Sequence, residues 1–186
     1  MKRIFDLITA IIVSILLFIP LLLVAAIVKL DSKGSIFFIS QRIGQNKKTF
    51  FMFKFRTMQS STPEVDTNNL EEPNKYITRF GKVLRKYSID ELPQLLNVIL
   101  GEMSLVGPRP ALLNQINLIK EKDTLNLNYL KPGITGLAQI NGRDNLSIKE
   151  KVEFDKNYKD KQSLFLDLKI LLKTINVIST GKDIKH

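Results

Sequence analysis

The most apolar part of the chain is an uncharged run of 22 residues, positions 7–28, close to the amino terminus. As one continuous helix it would be roughly 33 Å long, which is enough to cross the hydrocarbon core of a bilayer. Lys2 and Arg3 precede it, as in a signal peptide, but no small-residue cleavage site follows it. The run therefore predicts a retained hydrophobic unit over residues 1–30, with the remaining domain over 31–186.

Pro20 interrupts this run. Proline has no N–H for the carbonyl of Leu16 and crowds it, so we expect a break in the helix here. Neither half alone is long enough to cross a bilayer. Basic residues lie on both flanks, which by the positive-inside rule favours two cytoplasmic ends. On the residues alone, a re-entrant hairpin, a membrane span and a buried core helix all stay open.

Two segments rich in β-branched and aromatic residues follow, "GSIFFISQRIG" and "KTFFMFKFRTM", separated by a Gly-Gln-Asn turn. They predict an antiparallel strand pair. In the second segment Lys54 and Arg56 alternate with Phe53 and Phe55, which would place both cations on one face. That face is either an anion-binding surface or the solvated side of an edge strand.

The rest of the chain alternates between helical and extended patterns. The polar stretch 59–75, with two prolines, predicts a mobile loop. Helices are expected over "ITRFGKVLRKY", 93–100, 114–127, 148–161 and the amphipathic segment 163–180. "MSLV" predicts a short strand, and "KPGITGLAQINGR" predicts a turn, a short strand and a turn. The pattern indicates a mixed α/β, helix-rich fold.

Composition restricts the chemistry. The chain has 28 basic and 18 acidic residues, a net charge of +10, which indicates an anionic partner. It has no cysteine, and its single histidine is the last residue, His186. Thiolate catalysis, disulfides and cysteine metal sites are therefore excluded, and histidine acid–base chemistry is disfavoured. Catalysis would depend on carboxylates, lysines, hydroxyls or a metal bound by oxygen.

Two adjacent carboxylates, Asp90 and Glu91, stand in "RKYSIDELPQLLNV". With Ser88 they match a capping box, in which they would serve a helix start. In that register Pro93 would be the fifth helical residue, where its missing N–H is costly. A later start, at Asp90 or Leu92, suits the proline and releases at least one carboxylate for function. Both interpretations remain open on this segment alone.

Two arginines occupy constrained turns. Arg109 lies between two prolines and follows Gly107, while Arg143 ends an Asn-Gly-Arg turn. A rigid backbone can aim a guanidinium at a phosphate, which it grips with two parallel hydrogen bonds. An ordinary loop salt bridge is the alternative. Neither the common P-loop motif nor the dinucleotide-binding glycine motif is present.

Three blocks, "KFRTM", "SIDELPQLLNVILGEMSLVGPRP" and "KPGITGLAQINGR", stand in an order that resembles the bacterial sugar transferase family. These are small monotopic phosphoglycosyl transferases that act on polyprenol phosphate. The resemblance covers about residues 2–178 and includes the hydrophobic segment with its proline. One departure is Ile19, which stands where members of this size often have serine before the proline.

The resemblance implies a reaction and its residues. The family transfers a sugar-1-phosphate from a nucleotide sugar, usually a UDP-sugar, to undecaprenyl phosphate, and UMP leaves. Asp90 matches the nucleophile that becomes a covalent phosphosugar, and Glu91 its partner. Magnesium is required, with Asp90 and Glu91 as the expected ligands. The hairpin, broken at Pro20, would be re-entrant on the cytoplasmic face of the bacterial inner membrane.

The expected architecture is thus an α/β, helix-rich cytoplasmic catalytic domain with interfacial amphipathic helices, anchored by a membrane hairpin. Its partners would be a UDP-sugar, undecaprenyl phosphate and membrane lipids, and not nucleic acid. The expected substrate-binding residues are Lys54, Arg56, Arg85, Arg109, Gln139 and Arg143.

Two other functions would account for part of the sequence. One is a membrane-anchored basic module that binds nucleic acid or anionic lipid without catalysis, which leaves the acidic pair unexplained. The other is a structural subunit with an inactive site, which the presence of both carboxylates and Arg109 disfavours. The sequence does not determine the sugar, the glycan pathway or the oligomeric state.

Overall fold

The computed structural model describes residues 1–59, 61–62 and 73–180. Most of the predicted mobile loop, and His186, lie outside the described residues. The helices are α1 (Lys2–Leu16), α2 (Phe18–Asp31), α3 (Pro73–Tyr76), α4 (Arg79–Lys86), α5 (Gln94–Leu100), α6 (Ile116–Thr124), α7 (Leu137–Ile140), α8 (Ile148–Lys161) and α9 (Leu164–Thr180). The strands are β1 (Phe37–Ile43), β2 (Thr49–Phe55), β3 (Ser104–Val106), β4 (Ala111–Leu112) and β5 (Gly133–Thr135). The mixed, helix-rich class is confirmed.

The predicted antiparallel pair is confirmed as β1 and β2, in register from Phe37 opposite Phe55 to Ile43 opposite Thr49. The turn between them contains Asn46 at a positive φ of 53°, a conformation that asparagine tolerates better than most residues. A strand that the sequence did not predict, β4, pairs with the other side of β1, so the sheet order is β2-β1-β4.

A second, parallel sheet contains β3 and β5. Glycines allow its backbones to approach closely, because a Cβ on Gly133 would lie 2.1 Å from the Gly107 nitrogen and one on Gly136 would lie 2.2 Å from the Gly107 oxygen. The Gly-Pro-Arg-Pro loop is thereby held against the "KPGITG" segment. The predicted short strand is confined to Gly133–Thr135, and after Gly136 the chain forms the short helix α7 and does not continue as a strand.

The hydrophobic run is divided into α1 and α2, bent by 65° at Leu17. The break lies three residues before Pro20, which occupies the first turn of α2. In the first turn of α2 the missing N–H of Pro20 costs no hydrogen bond, because first-turn N–H groups have no partner within their helix. If α1 continued without a break, the proline ring would collide with the carbonyl of Leu16, so the helix breaks before Pro20. No single helix in the described part of the chain has the length and apolar composition to cross a bilayer, but this bent pair together does.

Both ends of the α1–α2 pair are attached to the same body of the protein. At the start of α1, the Lys2 ammonium lies 2.7 Å from the buried carboxylate of Asp167, and Arg3 donates to the carbonyls of the last turn of α5. At the end of α2, the Asp31 carboxylate accepts from the Phe80 N–H at 3.0 Å. The pair therefore leaves the domain and returns to it.

The main apolar core lies between α1, α5, α8, α9 and the parallel sheet. Val98, Met103, Tyr158 and Ile170 are at most 2 % exposed within it. The predicted helices over 148–161 and 163–180 are confirmed and close this core.

Candidate active site

Asp90 and Glu91 lie in a 3-10 turn, Ile89–Glu91, between α4 and α5. Ser88 enters this turn in the left-handed region with φ of 51° and makes no side-chain capping bond, so the capping box is not formed. Helix α5 spans Gln94–Leu100 with Pro93 as its N-cap, so it starts later than Ser88, as expected, but also later than the predicted N-caps Asp90 and Leu92. Both carboxylates are buried, at 8 % and 6 % exposure, without serving as helix caps.

Glu91 is the electrostatic centre of the site. Its Oε1 accepts from Lys54 Nζ at 2.9 Å, from Arg143 Nη2 at 2.9 Å and from both terminal nitrogens of Arg109 at 3.4 Å. Burial alone would raise the pKa of Glu91, but these three cations hold it well below its ordinary value. Glu91 is therefore ionised at any physiological pH.

Asp90 has the opposite electrostatic environment. Burial raises its pKa from the ordinary 3.8 to about 6, and the adjacent negative Glu91 adds to this effect. The charges of Lys54, Arg143 and Arg85 oppose the rise only in part. Among the described residues, no hydrogen-bond donor contacts the Asp90 carboxylate. Two adjacent carboxylates with pKa values pushed apart are typical of groups with different catalytic roles.

Arg143 connects a distant turn to the acidic pair. Its Nη1 donates to Ser88 Oγ at 3.1 Å while Nη2 contacts Glu91. Its own φ is 47°, and the preceding Gly142 has φ of 136°. A non-glycine residue in this region is uncommon and costs conformational energy, which the surrounding contacts offset.

Arg109 reaches the site from the proline-flanked loop after β3. Its side chain is 37 % exposed, whereas those of Lys54 and Arg143 are 14 % and 15 % exposed. Its contacts with Glu91 are also the longest of the three. Arg109 is thus the cation of this cluster that is most accessible to a bound anion.

Two further residues, Arg85 and Gln139, were also predicted to bind substrate. Arg85, in the last turn of α4, acts on Asp90 through its charge. Gln139 lies on α7 beside Gly136, is 8 % exposed, and has no hydrogen-bond partner for either amide atom among the described residues. A buried amide without partners is unfavourable by itself.

Arg56 lies elsewhere, contrary to its predicted place beside Lys54. Strand β2 ends at Phe55, and the Arg56 guanidinium donates to the carbonyls of Ser32 and Lys33 at 2.7 and 3.0 Å. Alternation along a strand no longer holds where the strand ends. Arg56 therefore fastens the segment after α2 and does not join the acidic pair.

Asn97 is a residue of the site that the sequence analysis missed. It is fully buried on α5, its amide donates to the Phe51 carbonyl at 2.7 Å, and its Oδ1 accepts from the Phe53 N–H at 3.1 Å. These bonds cover the edge of β2 and bring Lys54 alongside Glu91. A lone asparagine within an apolar helical run was the signal that could have identified it.

The expected magnesium ligands fit the metal unequally. Magnesium usually binds one or two protein carboxylates together with substrate phosphate oxygens. Asp90 fits this role because, within the described part of the chain, its carboxylate accepts no hydrogen bond from another protein group. Glu91 fits less well, since three cations already surround its Oε1. The described residues contain no cluster of three or more metal-binding carboxylates or histidines.

Comparison with known proteins identifies the family. The family described as bacterial sugar transferase matches residues 1–181. "Uncharacterized sugar transferase EpsL" of Bacillus subtilis (strain 168) is 44% identical over 187 residues, which cover 100% of this chain and 91% of that protein.

Two longer relatives carry names that state a reaction. "UDP-N-acetylgalactosamine-undecaprenyl-phosphate N-acetylgalactosaminephosphotransferase" of Aeromonas hydrophila is 37% identical over 97% of this chain and 44% of its own length. "UDP-glucose:undecaprenyl-phosphate glucose-1-phosphate transferase" of Xanthomonas campestris pv. campestris is 41% identical over 83% and 34%. The resemblance seen in the sequence motifs is confirmed: the chain belongs to the bacterial sugar transferase family.

Proposed function

We propose that this protein transfers a sugar-1-phosphate from a UDP-sugar to undecaprenyl phosphate through a covalent intermediate on Asp90. The names of the Aeromonas and Xanthomonas relatives support the donor and acceptor classes. The observation that carries the proposal is the contrast within the buried pair. Glu91 is neutralised by three cations, whereas the buried carboxylate of Asp90 accepts no hydrogen bond from any residue that the structure describes.

The reaction has two displacements at the same phosphorus. First, an Asp90 carboxylate oxygen bonds to the phosphorus that carries the sugar, and the bond from this phosphorus to the bridging oxygen breaks. UMP leaves with that oxygen and its electron pair. Second, a phosphate oxygen of undecaprenyl phosphate bonds to the phosphorus, and the Asp90 carboxylate is released. The product is a lipid-linked diphosphosugar, and the enzyme is restored.

The cations around Glu91 explain how a carboxylate can attack an anion. Lys54 and Arg143 hold Glu91 and keep positive charge within the buried site, which reduces repulsion between Asp90 and a phosphate. Arg109, the most exposed of the three, is positioned to contact the diphosphate. Magnesium, for which Asp90 is the best-fitting protein ligand, supplies further positive charge to the phosphate oxygens when bound.

The geometry also supports a re-entrant anchor formed by residues 1–30. The two ends of α1–α2 contact the same catalytic body, whereas a span would separate them by about 30 Å of hydrocarbon. Apolar side chains on this pair are exposed, including Ile15 at 69 %, Leu16 at 72 % and Leu23 at 62 %. We propose that they contact lipid and that the catalytic part, residues 31–186, lies at the cytoplasmic face of the bacterial inner membrane.

Helix α9 extends this proposed membrane surface. Phe165, Leu172 and Ile175 are 79 %, 66 % and 64 % exposed on it, and Lys169 and Lys173 interrupt the apolar pattern. Exposed apolar and basic residues on one helix suit the interface of an anionic membrane, where undecaprenyl phosphate resides.

Release of UMP tests the proposed function. Purified wild-type protein in detergent would be supplied with undecaprenyl phosphate, magnesium and, separately, UDP-glucose, UDP-N-acetylgalactosamine and other UDP-sugars. We expect UMP and a lipid-linked sugar in equal amounts with at least one donor. UMP formed without a lipid product, or no UMP with any donor across the panel, would contradict the proposal.

A further inference from the structure

A buried ion pair outside the acidic site lies directly behind the Arg109 loop. Lys122 on α6 and Asp155 on α8 are 6 % and 4 % exposed, with Nζ and Oδ2 3.0 Å apart. Burial raises the pKa of Asp155, and the Lys122 charge opposes this rise. The same ammonium group donates to the main-chain carbonyl of Arg109 at 3.0 Å. The ion pair that joins α6 to α8 is thus also bonded, through Lys122, to the main chain of Arg109.

The part of the loop before Arg109 is held by main-chain hydrogen bonds to the segment of β5. The Gly107 N–H donates to the Thr135 carbonyl at 2.9 Å, and the Gly133 N–H donates to the Pro108 carbonyl at 2.9 Å. These bonds secure the loop before Arg109. Lys122 binds the carbonyl of the peptide unit directly after the Arg109 Cα. The main chain is therefore held both before and after the residue that carries the guanidinium.

Stability alone does not account for a charged pair here. A buried ion pair is commonly no more stabilising than an apolar pair of similar volume, because both charges lose their hydration. What an apolar pair could not supply is a donor for the Arg109 carbonyl. A small displacement of that peptide would move a guanidinium that already lies 3.4 Å from Glu91.

We propose that Lys122 and Asp155 are positioning residues for Arg109. Asp155 holds the Lys122 ammonium, Lys122 holds the Arg109 carbonyl, and the fixed loop directs the guanidinium at Glu91 and the substrate phosphate. This inference rests on the proposed function for its effect on rate, but it also predicts a change in Arg109 that needs no turnover.

Three variants separate positioning from stability. Lys122→Met removes the donor and leaves Asp155 buried without its cation, so both melting temperature and rate should fall. Lys122→Met combined with Asp155→Val removes both charges and should recover the melting temperature. We expect kcat/KM for the UDP-sugar to stay about 10- to 100-fold below wild type in this double variant, because the hydrogen bond from Lys122 to the Arg109 carbonyl is still absent. Recovery of rate together with melting temperature would overturn the proposal.

Lys159→Met is the matched control. Lys159 also lies on α8 and donates to a main-chain carbonyl near the end of α6, that of Leu125 at 3.0 Å, but this bond does not reach the Arg109 loop. Its removal should leave kcat/KM within about twofold of wild type. A loss as large as that of the Lys122 variants would show that any weakening of the α6–α8 contact slows the enzyme.

A double-mutant cycle tests whether the effect passes through Arg109. In an Arg109→Ala background, the Lys122→Met/Asp155→Val change should have little further effect on kcat/KM, whereas independent residues would give multiplied losses. Multiplied losses would refute the assigned route.

An arginine-modification experiment distinguishes failure of this inference from failure of the proposed function. The rate of phenylglyoxal labelling at Arg109, followed by peptide mass spectrometry, should rise several-fold in the Lys122 double variant and not in Lys159→Met. This readout applies even to a protein that releases no UMP. Unchanged labelling of Arg109 would reject the positioning role whether or not the enzyme is active.

Discussion

Arg143 and Glu91 are 52 positions apart in the chain, and a hydrogen bond of 2.9 Å joins their side chains. This hydrogen bond holds the Asn-Gly-Arg turn against the acidic pair, and it gives the Glu91 carboxylate a fixed cationic partner. Its neighbour Asp90 has no comparable bond among the described residues. This difference between adjacent carboxylates is the basis of the predictions on catalysis.

Asp90→Asn should abolish turnover without unfolding the protein, because an amide oxygen is not a competent nucleophile. Wild-type enzyme quenched after exposure to UDP-sugar alone should show one added phosphosugar on the peptide containing Asp90, by mass spectrometry. The variant should show none, with an unchanged circular dichroism spectrum. An unmodified wild type together with an active Asp90→Asn would end the covalent hypothesis.

The rate should have an acidic limb set by Asp90. Since burial raises the pKa of Asp90 to about 6, kcat/KM should fall about tenfold for each pH unit below about 6, as the nucleophile becomes protonated. Glu91, whose pKa is held low, should not titrate in this range. Initial rates between pH 5 and 8 would test this, and a rate that is unchanged down to pH 5 would contradict it.

The same raised pKa has a predictable sign in stability. Between pH 3.8 and about 6 the folded protein binds the Asp90 proton more tightly than the unfolded chain. Ionisation of Asp90 therefore costs stability above about pH 6, and this cost is relieved as the pH falls through that window. Asp90→Asn should be more stable than wild type at pH 7.5, and the difference should shrink towards pH 4. Thermal melts of both proteins at each pH measure it; a constant difference would contradict the assignment.

Glu91→Gln should destabilise the protein and inactivate it. The change leaves Lys54, Arg143 and Arg109 without their shared anion in a buried site, and breaking a buried ion pair costs about 3–5 kcal/mol. Denaturant unfolding in detergent would measure the free energy of unfolding. The control is Asp123→Asn, which breaks an exposed pair with Lys47 and should leave stability unchanged. Equal stabilities of Glu91→Gln and wild type would refute the central role of Glu91.

Arg109→Lys and Arg56→Lys should separate function from structure. Arg109→Lys keeps the charge but loses the planar fork, so the rate should fall about 10- to 150-fold, the loss of roughly 1.5–3 kcal/mol in the transition state. Its melting temperature should change little. Arg56→Lys loses bonds to the Ser32 and Lys33 carbonyls and should melt earlier with a normal rate in the folded fraction. The reverse pattern would exchange their assigned roles.

Both ends of the α1–α2 pair should face the cytoplasm. The chain has no cysteine, so single cysteines inserted after Met1 and substituted at the exposed Ser35 report each end. In intact cells an impermeant thiol reagent should label neither position, and after lysis it should label both. Labelling of only one end in intact cells would show a span.

The sequence by itself determined most of the local structure, because local structure depends on periodicity, proline and glycine. The strand pair, the helices over 148–161 and 163–180, and a start of α5 later than Ser88 all follow from patterns within a few residues. The sequence motifs also determined the family and the acidic pair at positions 90 and 91. Pro20 predicted a break, although steric conflict with Leu16 placed it at Leu17.

Only the tertiary structure decided how each charge is used. Lys54 and Arg56 are two positions apart and similar in sequence terms, yet one contacts Glu91 and the other binds the carbonyls after α2, because β2 ends between them. The unequal environments of Asp90 and Glu91 arise from burial and from cations brought by three separate segments. Such desolvation and long-range pairing are properties of packed side chains, and no local pattern of residues encodes them.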